Sequence, residues 1–261
     1  MHPILIEIGR FRIYSYGFML AIAFFVGILL AAWRAEKAGL KKDIVYDLSA
    51  VIIVLAVIGS RSLYIIMHRE SYHSLIDMIA LWQGGAIYYG GLILALIGSW
   101  IFVRVKGVSF LKIADILSPS IGIGIFFTRI GCFMAGCCFG SPTSCSLGVT
   151  FPPDSPAGYI YSGIHIHPTQ LYSSFYGLMI FLLLLLVEKK KTFDGFTFSF
   201  LCIFYGIARF IVDFFRYYEP SAFVGRVLTI NQVISLGLIV AGIVMLIILR
   251  SQSSKKRAAT D

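Results

Sequence analysis

The sequence predicts an all-α membrane protein with seven transmembrane helices, its N-terminus outside and its C-terminus cytoplasmic. Three observations carry that prediction. The chain is 58% hydrophobic and 13% charged, against about 25% charged in a water-soluble domain. The charges are gathered between long apolar runs, and those runs are long enough to span a bilayer. The Lys and Arg residues fall mostly on alternate connections. The net charge of +9 would suggest nucleic acid in a soluble protein. Here it sits in short loops beside apolar runs, so it reads as membrane topology, with no nucleic-acid partner.

A spanning helix needs about 20 mostly apolar residues. Seven segments qualify, near 14–33, 46–67, 87–104, 109–128, 170–187, 195–215 and 227–249. The piece at 74–86 is too short to span. It reads as interfacial or re-entrant, with Trp82 at headgroup depth. The first 13 residues carry Glu7, Arg10 and Arg12 but no short apolar core with a small-residue cleavage site, so no cleaved leader is expected. With seven spans, the connections 34–42, 104–112 and 189–191 and the tail 250–257 share one side. They hold 14 of the 22 Lys and Arg residues, including every lysine. That side is therefore cytoplasmic. Residues 1–250 form a single transmembrane catalytic domain on this reading. The connection 129–169 is external and irregular, because it holds five prolines and several glycines. The tail 251–261 is polar, basic and disordered.

Four clusters carry chemistry. The first is a set of arginines in or near spans, Arg61, Arg129 and Arg209, where an ionised side chain costs about 2.5–3.5 kcal/mol on insertion scales. Tyr205, Arg209, Asp213 and Arg216 follow at helical spacing and share one stripe. Asp213 can pair with Arg209 or Arg216. The stripe is either a self-paired helix end or a cationic site for an anionic headgroup, since the planar guanidinium matches phosphate. The second cluster is Gly84-Gly85-Ala86-Ile87-Tyr88-Tyr89-Gly90-Gly91. It reads either as close backbone packing with aromatic anchoring or as a ligand approach at a helix start. The third is His165-Ile-His167-Pro-Thr-Gln170-Leu-Tyr172, which enters a span through its proline. Two histidines alone do not make a metal site. The fourth is Cys132, Cys137, Cys138 and Cys145, within a 14-residue stretch. The spacing Cys-x4-Cys-Cys-x6-Cys is not a standard zinc or iron–sulfur pattern. Disulfides are the expected state on an oxidising face, with a redox or metal role open. Cys202 lies in an apolar run and reads as packing. No P-loop, Rossmann fingerprint or Gly-x-Ser-x-Gly occurs.

Taken in order, these segments are similar to the prolipoprotein diacylglyceryl transferase family. The resemblance covers nearly the whole chain. It runs through Tyr14-Ser-Tyr16-Gly17, Trp33-Arg-Ala-Glu-Lys-Ala-Gly39, Gly59-Ser-Arg61 and Tyr89-Gly-Gly-Leu92. It continues through Arg129-Ile-Gly-x-Phe, His167-Pro-Thr-Gln-Leu-Tyr172, Phe204-Tyr-Gly-Ile-Ala-Arg-Phe-Ile-Val-Asp-Phe-Phe-Arg216 and Leu228-Thr-Ile-Asn-Gln232. It implies a seven-helix protein of the bacterial inner membrane with no cofactor and no metal. It implies transfer of diacylglycerol from phosphatidylglycerol to the lipobox cysteine of a preprolipoprotein signal peptide, with release of glycerol phosphate. Carried over by position, Arg209 is the essential arginine, supported by Tyr205, Asp213 and Arg216. Arg129 binds the lipid headgroup, and Tyr16, Arg61, Gln170 and Tyr172 help to hold the lipid. The attacking sulfur must be a thiolate, and a free cysteine has a pKa of about 8.5. The arginines would stabilise the charge growing on the departing phosphate.

Two departures stand out. Tyr89 occupies the position of a family histidine, and a phenol with pKa about 10 is a poorer base than an imidazole with pKa about 6.5. Cys132, Ala135 and Cys137 stand where the signature has Asn, Asn and Glu. A lipid-binding paralogue with thiol redox chemistry is therefore a rival expectation. A transporter is a weaker one, since no inverted repeat is visible.

Overall fold

Apolar runs of the expected lengths become helices because a chain in lipid must satisfy its own backbone polar groups. The computed structural model describes residues 3–8, 11–69, 85, 87–224 and 227–258. Among the described residues, seven helices are long and apolar enough to cross a membrane. They are α1 (Ser15–Lys37), α2 (Lys42–Met67), α3 (Tyr88–Val105), α4 (Phe110–Ala135), α6 (Thr169–Glu188), α7 (Phe196–Asp213) and α8 (Ile230–Ala258). A short α5 (Pro156–Ile160) lies between α4 and α6, started by the Ser155 hydroxyl, which accepts from Gly158 N at 3.1 Å. Most of the expected piece at 74–86, with Trp82, lies outside the described residues, as do Arg10, Arg226 and 259–261.

Three expectations need correction. Helix α4 does not stop near 128 but runs on to Ala135, and Gly136, at φ +70°, ends it. Arg129 and Cys132 are thereby helical. Helix α8 continues to Ala258, so most of the tail expected to be disordered is helical. Gln252 and Lys255 are good helix formers. Two small antiparallel hairpins were not expected. They are β1 (Ile4–Ile8) with β2 (Phe11–Tyr14), and β3 (Phe223–Val224) with β4 (Leu228–Thr229). Segments 4–8 (Ile-Leu-Ile-Glu-Ile) and 11–14 (Phe-Arg-Ile-Tyr) are rich in strand-favouring residues but too short to stand out beside the helical runs.

The chain divides into two units, one running up to Ala31 and resuming at Ala114, the other Ala32–Ile113. In the second, α2 and α3 lie antiparallel with their backbones touching. A side chain at Gly59 would strike the Gly90 carbonyl, and one at Gly91 would lie 2.7 Å from the Ala56 carbonyl. Small residues permit such approach in lipid. Arg61, 6% exposed, donates to the Gly85 carbonyl at 3.1 Å. Gly85 has a φ of +82°, and an added side chain there would meet the Tyr64 ring.

In the first unit, α7 and α8 pack through Gly206 and Gly242, each facing a serine carbonyl of the other helix at 2.7 Å from an added Cβ. Tyr176, Ile180 and Leu184 of α6 meet Leu201 and Val212 of α7 in an apolar core. Asp115, 1% exposed on α4, caps α7 from outside. It accepts from Gly195 N and Phe198 N, both at 2.8 Å, and pairs with Lys191 at 2.8 Å. Helix α7 begins at a glycine with no capping side chain of its own, so Asp115 supplies one. Asp115→Ala is expected to cost on the order of 3 kcal/mol, from two lost hydrogen bonds to a charged group. Thermal unfolding in micelles measures it, and an unchanged midpoint would remove Asp115 from that role.

The connection 136–168, expected to be irregular, is folded. Val149 and Ile166 exchange backbone hydrogen bonds in both directions at 3.0 Å, and Gly140 N donates to His167 O at 3.1 Å. Phe139, Phe151, Ala157 and Ile166 form a buried cluster beneath it. Its prolines break helices without preventing a packed loop.

Candidate functional site

The site is built around a charged side chain that the bilayer should expel. Tyr205, Arg209 and Asp213 fall on one stripe of α7, as their spacing requires. Arg209 is 6% exposed and Asp213 3%. Arg209 Nη2 lies 3.1 Å from Asp213 Oδ1 and donates to Tyr218 Oη at 2.7 Å. Tyr218 in turn donates to Asp213 Oδ1 at 2.5 Å and accepts from Asn231 Nδ2 at 3.0 Å. The Thr229 hydroxyl donates to Asp213 Oδ2. Thr229 itself is held by Gln232, whose Oε1 accepts from Thr229 N at 2.9 Å and whose N donates to Thr229 Oγ1 at 3.1 Å. Both carboxylate oxygens and one face of the guanidinium are thus fixed. Arg209 Nη1 is buried with no hydrogen-bond partner among the described residues. Burial pushes the Tyr218 hydroxyl up to about 12, so it stays a donor at neutral pH.

The stripe does not reach Arg216, because α7 ends at Asp213. The turn after it carries Arg216 to a backbone bridge with Gly140 and sets its guanidinium over the Tyr218 ring at 5.3 Å. Among the described residues Arg216 forms no ion pair with Asp213, which Arg209 occupies.

Arg129 sits in the last part of α4. Its Nη1 approaches Cys132 Sγ at 3.9 Å. The phenols of Tyr176 and Tyr205 lie within electrostatic reach of both Arg129 and Arg209, so the two guanidiniums face one shared region. The Tyr176 and Tyr205 rings meet edge to face with centroids 6.2 Å apart, and Tyr176 Oη has no hydrogen-bond partner among the described residues. Gln170, fully buried, donates through Nε2 to Cys137 O at 2.8 Å and leaves Oε1 unpaired. Tyr16 on α1 lies within electrostatic reach of Arg129 and the three cysteines. Beside this region a groove of about 630 Å³ runs between α6 and α7, lined by Tyr172, Phe175, Tyr176, Ala208, Ile211 and Val212, with Leu147 and Val149 of the folded connection.

All five cysteines are present as free thiols. Cys132, Cys137 and Cys138 place their Sγ atoms within 4.8 Å of one another. Cys145 is exposed and lies outside this group. Hydrogen bonds from the Cys132 and Cys137 thiols, then the charges of Arg216 and Arg129, hold the Cys138 thiol well below the usual range. The Cys137 thiol, hydrogen-bonded to Cys132 and Cys138, is pushed up.

Of the residues singled out from sequence, Arg129, Arg209, Tyr205, Asp213, Gln170, Tyr172, Tyr16 and the three cysteines belong to the first unit. Arg61 and Tyr89 belong to the second. Arg61 engages Gly85, and Tyr89, half exposed, packs edge-on to Tyr88 at 5.8 Å. The two histidines do not pair. His165 contacts Gly148 O at 3.3 Å and His167 contacts Tyr172 Oη at 3.2 Å. Sequence reasoning missed Tyr218 and Tyr176, and it recognised Thr229 only as part of a motif.

A family model described as prolipoprotein diacylglyceryl transferase matches residues 3–248. The chain is 35% identical over 243 residues to the phosphatidylglycerol–prolipoprotein diacylglyceryl transferase of Clostridium tetani, covering 93% of this chain and 96% of that protein. It is 34% identical over 266 residues to the protein of that name from Bacillus velezensis, covering 100% and 97%. It is 32% identical over 246 residues to phosphatidylglycerol–prolipoprotein diacylglyceryl transferase 2 of Clostridium perfringens, covering 94% of each.

Proposed function

Because the chain belongs to the prolipoprotein diacylglyceryl transferase family, we propose that it moves a diacylglyceryl group from phosphatidylglycerol to the lipobox cysteine thiol of a preprolipoprotein. The protein is a multi-pass membrane protein. Its proposed place is the bacterial inner membrane, with the N-terminus and the connection 136–168 outside and the lysine-rich connections in the cytoplasm.

The observation that carries the reading is Arg209. It is buried at 6% exposure, anchored on one side by Asp213 and Tyr218, and has a free N–H pair at Nη1. A buried cation with unused donors is costly, and a phosphate oxygen satisfies it. Arg129 faces the same tyrosines and supplies a second charge. The apolar groove between α6 and α7 suits an acyl chain, with the headgroup at the arginines. In the reaction the acceptor thiol gives its proton to water and its sulfur bonds to the glycerol carbon. The carbon–oxygen bond breaks, and the electron pair leaves with glycerol phosphate. Negative charge grows on that phosphate as it departs, which is where the fixed guanidiniums act.

The test is complementation of a bacterium depleted of its own transferase, with lipidation of a labelled preprolipoprotein as readout. The wild-type chain is expected to rescue growth and to modify the substrate only when phosphatidylglycerol is supplied. Failure of the expressed, membrane-inserted protein to do either would remove the proposal.

A further inference from the structure

A disulfide uses two of the three sulfurs of Cys132, Cys137 and Cys138 and leaves the third without a role, whereas a metal ion uses all three. Their Sγ atoms lie within 4.8 Å of one another. Thiolates on tetrahedral zinc, with Zn–S about 2.3 Å, sit about 3.8 Å apart, so small side-chain rotations close the set. Bonded sulfurs would need about 2.05 Å.

The surroundings are shaped for this. Cys138 holds φ +59° and is the one non-glycine residue with positive φ among those described. Such a conformation costs on the order of 1 kcal/mol, and it belongs to the fold-back that groups the three thiols. Gln170 Nε2 fixes the Cys137 carbonyl at 2.8 Å, and Thr169 Oγ1 fixes the Cys138 carbonyl at 3.0 Å. Such outer hydrogen bonds hold ligands in place. Three thiolates around a divalent cation leave one negative charge. Arg129, 3.9 Å from Cys132 Sγ, and Arg216, whose charge acts on Cys138, offset it. Among the described residues no fourth His, Cys, Asp or Glu joins the group, so one coordination position stays open, as in catalytic zinc sites.

We propose that Cys132, Cys137 and Cys138 bind one thiophilic divalent cation of the zinc type, and that its open position takes the acceptor thiol. The metal site stands by itself, and the acceptor's entry rests on the transferase reading. Three protein thiols release three protons as the cation binds. The acceptor binds as a thiolate and gives its proton to water, because a metal-bound thiol is deprotonated outright. Its sulfur then bonds to carbon, the carbon–oxygen bond breaks toward phosphate, and the neutral thioether leaves the metal. No oxidant or reductant is needed. Arg129 lies 3.9 Å from Cys132 Sγ and within electrostatic reach of Tyr176 and Tyr205, which Arg209 also faces, so its charge serves both nucleophile and leaving group. Both departures from the family pattern then have one cause. A site that makes its thiolate by coordination does not depend on a histidine at Tyr89 or a carboxylate at Cys137.

The test uses the reduced, chelator-stripped full chain in micelles, titrated with Co²⁺ and with Cd²⁺ alone. One metal per chain is expected, with thiolate-to-metal charge-transfer absorption. Affinity should fall at least about 10-fold in Cys137→Ser and in Cys138→Ser and stay unchanged in Cys145→Ser and Cys202→Ser. In the unmutated protein Zn²⁺ should slow maleimide labelling of the three thiols but not of Cys145, which needs no variant to fold. A lipobox peptide should shift the Co²⁺ spectrum toward four thiolates, and its Cys→Ser version should not. Absence of stoichiometric metal, indifference of binding to both serine variants, or no peptide shift would overturn the proposal. Full-rate transfer by metal-free protein would overturn it and leave the transferase reading standing. Metal binding with the peptide shift but without transfer would uphold it and sink that reading instead.

Discussion

Arg209→Gln is expected to lower phosphatidylglycerol-dependent transfer by about 10²- to 10³-fold, the usual loss when a preorganised donor to a developing charge is removed. The geometry says why the charge matters as well as the hydrogen bonds. Nη2 is engaged by Asp213 and Tyr218 while Nη1 stays buried without a partner among the described residues. One planar group thus takes its orientation from the protein and offers its remaining N–H pair to substrate. Lysine cannot do both, because its ammonium is a compact point charge on a flexible stem. Arg209→Lys should therefore fall nearly as far as Arg209→Gln. The measurement is kcat and KM for lipid with protein shown to be inserted and folded. A loss confined to KM would mean that Arg209 only holds the ground-state lipid. Near-normal activity in Arg209→Gln would remove it from the site.

How much of this was legible beforehand depends on the range of each interaction. The seven spans were, because length and apolar content are local properties, and so was the stripe of Tyr205, Arg209 and Asp213, because helical spacing is local too. The extension of that stripe to Arg216 failed because nothing in Asp213-Phe-Phe-Arg216 announces that the helix stops at Asp213. The stop is set by Phe215 and Arg216 docking beside Gly140, far back in the chain. Tyr218 was invisible for the same reason, since it reaches Arg209 from beyond the helix end and follows no period. The role of Asp115 has no local signal either, because its partner amide on Gly195 is 80 residues away. The cysteines were read through linear spacing, which could not see Gly136 and Cys138 turn the chain back on itself with positive φ. Tyr176 carries no signal of its own in an apolar helix, and only the packing of α6 on α7 brings its ring against Tyr205.

Asp213→Ala is expected to cost about 3–5 kcal/mol of stability, the penalty for leaving a buried charge without its counter-ion. Asp213 is 3% exposed and receives Arg209, Tyr218 and Thr229 together. Its loss would orphan a guanidinium and two hydroxyls at the junction of α7, the turn after it and β4. Asp213→Asn separates two roles that alanine confounds. The amide keeps the volume and can still bond the Tyr218 and Thr229 hydroxyls once they reorient, so folding should suffer less. Arg209 meanwhile loses its ionic anchor and with it the fixed direction of Nη1. Thermal unfolding in micelles should therefore rank wild type above Asp213→Asn above Asp213→Ala, while transfer activity drops sharply already in the asparagine variant. If Asp213→Asn kept full activity despite lowered stability, the pair would be only a device for burying an arginine, and the orientation of Nη1 would owe nothing to the carboxylate. If Asp213→Ala unfolded at the wild-type temperature, Tyr218 and Asn231 would be sufficient partners for the charge, and the carboxylate would have to be explained by chemistry instead.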